Sequence, residues 1–213
     1  MKSLAASTVD ELRAPPATSQ RLSIGVMGAS GGELSDEVHE RSYRLGEAIA
    51  QRGAVLITGA CSGLPYDAVR GAKAAGGFVV GISPGLSFDE HRGKYRSPVD
   101  GFDVLIYTGS GLMGREITSI RSCDIIVIAG GRTGTLGELA IAYDEGRLIG
   151  VLTGTGGITT IVEDIIRVSA KKTGAHIIYD EDPVKLVERL INVYRISHHR
   201  KPSCFCDATV GEG

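Results

Sequence analysis

From Ser23 onward, short β-branched apolar runs bounded by glycine alternate with longer segments whose apolar positions recur at helical spacing. Strands are predicted at Ser23–Gly28, Ala54–Gly59, Phe78–Ser83, Asp103–Thr108, Ile125–Gly130, Ile149–Gly154 and His176–Asp180. Helices are predicted at 33–51, 65–76, 113–123, 134–146, 157–172 and 183–196. In the first of these, Val38, Leu45 and Ile49 share one face. The last opens on Asp182–Pro183, a capping residue followed by a proline at the first helical position. Strands apolar on both faces, alternating with helices, specify a mostly parallel sheet covered on both sides. The expected fold class is therefore α/β, a single doubly wound domain of about seven strands over residues 21–197. Residues 1–20 lack any period and read as a disordered N-terminal tail, and 198–213 as a flexible C-terminal one. Residues 84–102 also lack a period and read as a long loop, functional or mobile, with His91 read as a surface histidine in preference to a ligand contact.

Composition adds one anomaly. Glycine supplies 30 of 213 residues, about twice the usual ~7%, without a collagen period. A net charge of −2 with 5% aromatics and no tryptophan offers no general attraction to nucleic acid. No apolar run approaches the roughly 20 residues of a membrane span, and the first 20 residues hold no secretory core. Four cysteines in a chain of this size are not a disulfide framework. A cytoplasmic protein with reduced thiols is expected. The tail residues His198, His199, Cys204 and Cys206 are a weak match to zinc spacing, so no metal site is assigned.

The glycines gather where the predicted strands end, in the loops starting at Gly28, Gly59, Gly109, Gly130 and Gly154. That edge of an open parallel sheet is where ligands bind. Each loop feeds a helix whose N-terminal N–H groups suit an anion, so a phosphate-bearing ligand is expected. The first and fifth strands are expected side by side, because the Gly28 and Gly130 loops would then flank the switch point. No Gly-Lys-Ser or Gly-Lys-Thr occurs, which excludes a Walker-type site. Gly109-x-Gly111-x-x-Gly114 matches the dinucleotide fingerprint, but the next strand ends Ile128-Ala129-Gly130, without the acid that would hold the ribose.

Two segments carry chemistry. Arg115 stands in the first turn of a helix beside the ligand edge, where a guanidinium fork can hold a phosphate or carboxylate. The loop Gly130-Gly131-Arg132-Thr133-Gly134-Thr135 offers backbone donors, two hydroxyls and an arginine, and Glu138 follows about one turn into the next helix. Candidate ligand contacts are Gly28, Ser30, Gly31, Gly59, Gly111 and Met113, with Gly130, Gly131, Arg132, Thr133, Gly134 and Thr135. Cys61 lies in a glycine loop with no histidine near it in sequence and is assigned to packing rather than nucleophilic catalysis.

Met113-Gly114-Arg115 followed by Gly130-Gly131-Arg132-Thr133-Gly134-Thr135-Leu136-Gly137-Glu138 resembles the LONELY GUY (LOG) family, long labelled lysine decarboxylase-like. Its hallmark is a Met-x-x-Arg segment ahead of a Pro-Gly-Gly-x-Gly-Thr-x-x-Glu loop, and the resemblance spans about residues 22–195. Here Gly130 stands for the proline, Arg132 for the second loop glycine and Gly137 for the first of two adjacent acids; the methionine segment is one residue shorter.

The resemblance implies a Rossmann-like fold, a homodimer, and hydrolysis of the N-glycosidic bond of a nucleoside 5′-monophosphate to free base and ribose 5-phosphate. It implies that Arg115 and Glu138 are the catalytic pair, with the Gly130–Thr135 loop on the phosphate. Relatives that only bind a ligand, such as molybdenum-cofactor carrier proteins, keep the alternative of a non-catalytic carrier open. No lysine sits in a pyridoxal-phosphate context, and no cofactor is expected.

Overall fold

The computed structural model of the chain describes residues 21–197. The two expected tails, and with them His198, His199, Cys204 and Cys206, lie outside the described residues. Seven strands form one sheet: β1 (Ser23–Gly28), β2 (Val55–Thr58), β3 (Val79–Ser83), β4 (Val104–Tyr107), β5 (Ile125–Ala129), β6 (Leu148–Leu152) and β7 (His176–Asp180). The helices are α1 (Asp36–Gln51), α2 (Leu64–Ala74), α3 (Gly111–Arg121), α4 (Thr133–Asp144), α5 (Val162–Ser169) and α6 (Pro183–Ile196). All pairings are parallel, in the order β4-β3-β2-β1-β5-β6-β7. This is a Rossmann-like α/β fold, and its strand order reverses between β1 and β5.

The strand residues alternate between two cores. Ile24, Val26, Leu56 and Val127 pack under α1, α2 and α6, with Leu45, Ile49, Leu64, Leu186 and Leu190. Met27, Ile57, Ile126, Ile128 and Val151 face the other side, under Ile120 of α3, Leu139 of α4 and Val162 of α5. Burial of such side chains from both faces gives the central strands their continuous apolar runs. Asp182 caps α6 as its sequence indicates, accepting hydrogen bonds from the backbone N–H groups of Val184 at 2.9 Å and Lys185 at 3.3 Å.

Two expectations need correction. The helix predicted over 157–172 is a 3-10 turn, Gly157–Thr160, followed by the shorter α5. Gly157 opens that turn at φ 59°, outside the right-handed α-helical region, and Ala170 at φ 49° ends α5. His91 is fully buried rather than at the surface. Its Nδ1 lies 2.9 Å from Ser83 Oγ and its Nε2 2.8 Å from the Pro98 carbonyl oxygen, so it pins a loop that contains a π-helical turn at Glu90–Lys94. No helix among the described residues is long and apolar enough to cross a membrane.

Candidate functional site

The switch point places the loops after β1 and β5 side by side. Gly28 is required there by close approach: a Cβ on it would lie 2.1 Å from the Ala129 carbonyl oxygen. The Ala29 N–H then donates to that same oxygen at 3.1 Å. The β5–α4 loop is held from behind. The Gly130 N–H donates to Thr155 Oγ1 at 2.8 Å, that hydroxyl donates to the Leu152 carbonyl at 2.6 Å, and the Ile158 N–H donates to the Gly131 carbonyl at 3.0 Å. The loop therefore presents the N-terminal turn of α4 to the crevice, with its orphan N–H groups forward.

A cavity of about 300 Å³ opens at this edge, lined by Gly28, Ser30, Gly59, Cys61, Met113, Arg115, Glu116, Thr133, Gly134, Thr135 and Glu138, among others. A second hollow of about 330 Å³ shares Gly28, Ser30, Thr133, Gly134 and Thr135 with it and adds Arg132. Both volumes lie in the range of small-molecule sites. Of the candidate residues, Gly31, Gly111, Gly130 and Gly131 line neither. Gly130 and Gly131 form the back of the loop, where the Thr135 side chain occupies the space a Cβ on Gly131 would need. Gly111 begins α3, whose preceding strand β4 lies at the edge of the sheet. Gly109, Gly111 and Gly114 of the dinucleotide-like spacing thus line neither hollow, although Met113 among them lines the first. Another cavity, of about 240 Å³ between α4 and α5, has mainly apolar walls, among them Leu136, Leu139 and Ile166; we assign it to packing.

From that edge, α3 runs back toward the centre and carries Arg115 to the end of β2. Its Nη1 would lie 1.4 Å from a Cβ on Gly59, so the absent side chain there is what admits the guanidinium. Arg115 is 7% exposed and Glu138 6%. They approach at 3.8 Å, Nη1 to Oε1, an ion pair too long for a hydrogen bond. Arg115 Nε is buried without a hydrogen-bond partner. The pair is thus in ion-pair range without a hydrogen bond between the two groups.

Burial pushes the Glu138 carboxyl up from 4.5 to about 7; Arg115 opposes the rise and Glu116 adds to it. Burial likewise raises Glu116, against the pull of Arg115. It pushes the Cys61 thiol up to about 11, which leaves no useful thiolate near neutrality. Packing rather than nucleophilic attack is the role that fits Cys61, although it does line the cavity. Among the described residues no cluster of three or more His, Cys, Asp or Glu side chains is arranged to hold a metal.

The model of the SLOG cluster4 family matches residues 21–187, a stretch that contains every residue of this cavity. The chain belongs to the SLOG cluster4 family. An uncharacterized protein of Archaeoglobus fulgidus is 37% identical over 132 residues, which is 62% of this SLOG chain and 80% of the relative. Among solved structures, the molybdenum cofactor binding protein of the phototrophic bacterium Rippkaea orientalis is 28% identical with a TM-score of 0.66, covering 82% of this chain and 99% of that one. The molybdenum cofactor carrier protein of Chlamydomonas reinhardtii is 27% identical with a TM-score of 0.64, covering 81% and 99%. The SLOG fold thus extends over almost the whole length of both neighbours.

The residue that sequence reasoning passed over is Glu116. In the SLOG structure it is 5% exposed and faces α4. The signal was Gly137: where an acid is absent from the helix, a neighbouring carboxylate has room to enter.

Proposed function

We propose that the cavity holds a nucleoside 5′-monophosphate and that Arg115 and Glu138 cleave its N-glycosidic bond, giving free base and ribose 5-phosphate. The observation that carries this reading is the buried, unclosed Arg115–Glu138 pair next to a helix N-terminus with two threonine hydroxyls. The 5′-phosphate lies among Gly28, Ser30 and Arg132–Thr135, where N–H groups and the positive end of α4 favour an anion. Cleavage passes through an oxocarbenium-like ribose. The C1′–N bond breaks with its electron pair on the base nitrogen, and water adds at C1′. Ionised Glu138 stabilises the cation and takes the water's proton, which ends on the departing base. Arg115 fixes the sugar phosphate through its fork.

A second reading, a carrier of a phosphorylated cofactor without turnover, is favoured by the likeness to the molybdenum-cofactor proteins. A nucleotide panel separates the two. Free base released by the wild type and lost in Glu138→Ala supports the hydrolase. A ligand-dependent rise in melting temperature without base release supports the carrier. The same proposal includes a homodimer in the cytoplasm. Leu112, Met113 and Ile117 on α3 are 57%, 70% and 42% exposed beside the cavity mouth, and a second copy would cover them. Sedimentation of the full chain as a monomer would remove that part.

A further inference from the structure

Arg115 and Glu116 are adjacent on α3 and splay apart, because neighbours on a helix do not face the same way. Arg115 reaches toward Gly59 and Glu138, while Glu116 reaches toward the first turns of α4. A Cβ on Gly134 would lie 3.5 Å from Glu116 Oε1, and one on Gly137 would lie 3.0 Å from Oε2. The carboxylate therefore occupies the space left by two glycines, one of which replaces the first acid of the LOG motif. It is 5% exposed, lines the same cavity as Arg115 and Glu138, and makes no hydrogen bond or ion pair among the described residues. Its oxygens border that cavity, where a donor on a bound molecule can reach them.

What arrives must donate hydrogen bonds. A phosphate is repelled by Glu116, and the reading above places it in the hollow of Ser30 and Arg132–Thr135. Glu116 lies against Gly134 and Gly137, between that hollow and Glu138. In a nucleotide whose phosphate is in the loop and whose C1′ is at Arg115–Glu138, the donors in between are the ribose 2′- and 3′-hydroxyls. Exocyclic amines of the base lie beyond C1′, on the far side from the phosphate.

We infer that Glu116 accepts hydrogen bonds from the vicinal diol of the ribose and makes the site selective for ribose over 2-deoxyribose phosphates. This rests on the sugar-phosphate reading of the cavity. It also supplies, from α3, the acid that the strand-end position at Ala129–Gly130 lacks. A carboxylate built to hold a hydroxyl discriminates strongly against the analogue without it, because the charge is then left unpaired.

Calorimetric titration with ribose 5-phosphate and 2-deoxyribose 5-phosphate at pH 8 tests this, with inorganic phosphate as competitor. Wild type is expected to bind the ribose form about tenfold more tightly, the effect of a charge-assisted hydrogen bond. Glu116→Ala should bring the two within about twofold, and Glu116→Asp should restore part of the preference. Both variants should still release their ligand to inorganic phosphate. Equal wild-type affinity for both sugars, each displaced by phosphate, would overturn the diol assignment and leave the phosphate loop standing. A preference that survives in Glu116→Ala would overturn it as well. Failure of either sugar phosphate to bind wild type would overturn the sugar-phosphate reading and the assignment together.

Discussion

Glu138→Gln should make the protein more stable above neutral pH while removing the group proposed to do the chemistry. The side chain is buried, and its carboxyl stands at about 7 in the fold against an ordinary 4.5. Between those values the native state keeps a proton that the unfolded chain has released. Stability therefore falls as pH rises through that window, and the loss is complete above about 7. Each pH unit of the interval is worth about 1.4 kcal/mol, so ionising Glu138 in the native state costs on the order of 3 kcal/mol at pH 8. Glutamine keeps the shape of the neutral acid at every pH. Urea unfolding of both proteins from pH 4 to pH 9 should show a variant more stable by about 2–3 kcal/mol at pH 8, or about 5–10 °C in Tm, and no difference near pH 4. A variant no more stable than wild type at pH 8 would refute the claim that burial outweighs Arg115 at this carboxyl. So would an advantage of equal size at both ends of the pH range.

Three further substitutions or probes address other parts of the site. Gly59→Ala would put a Cβ 1.4 Å from Arg115 Nη1, and displacing that fork should lower turnover about a hundredfold while unfolding free energy changes by about 1 kcal/mol or less. Gly28→Ala would drive a Cβ to 2.1 Å from the Ala129 carbonyl, which backbone cannot yield cheaply, so urea unfolding should show a loss of about 3 kcal/mol or more. With its thiol held at about 11 against an ordinary 9.0, Cys61 should carry about a hundredfold less thiolate at pH 8, and peptide mass spectrometry should find it alkylated by iodoacetamide correspondingly slowly.

The sheet was legible because buried parallel strands write themselves as apolar runs on both faces, each closed by a turn residue. Even the β1–β5 neighbourhood followed from where the Gly28 and Gly130 loops fall. The same glycine signal misled at 109–114, since spacing does not say whether a strand lies at the centre or the edge of a sheet. Apolar spacing misled in its turn at Gly157, which sits against the Gly131 carbonyl with φ +59° and opens a 3-10 turn instead of an α-helix. The glycine excess also serves packing away from the ligand edge. A Cβ on Gly46 of α1 would lie 1.9 Å from the Ala68 carbonyl oxygen of α2, so these helices touch backbone to backbone. Arg115 and Glu138 could be placed near the ligand edge from the chain because each lies in the first turns of a helix after a glycine loop, while their pairing came from the LOG resemblance. Glu116 could not, because its place depends on how α3 crosses α4, a tertiary fact without a local period. The burial of His91 has the same origin, since its partners Ser83 and Pro98 belong to a loop without pattern.

The central claim is that the Arg115–Glu138 pair cuts the nucleotide it holds. Chromatographic assay of free base and ribose 5-phosphate, with wild type and Glu138→Gln incubated separately with AMP and GMP at pH 8, tests it most directly. The account predicts equal amounts of the two products from wild type and at least about a hundredfold slower release from the variant, with nucleotide still raising the variant's melting temperature. Nucleotide binding without base release by wild type, or release at the same rate by both proteins, would contradict it.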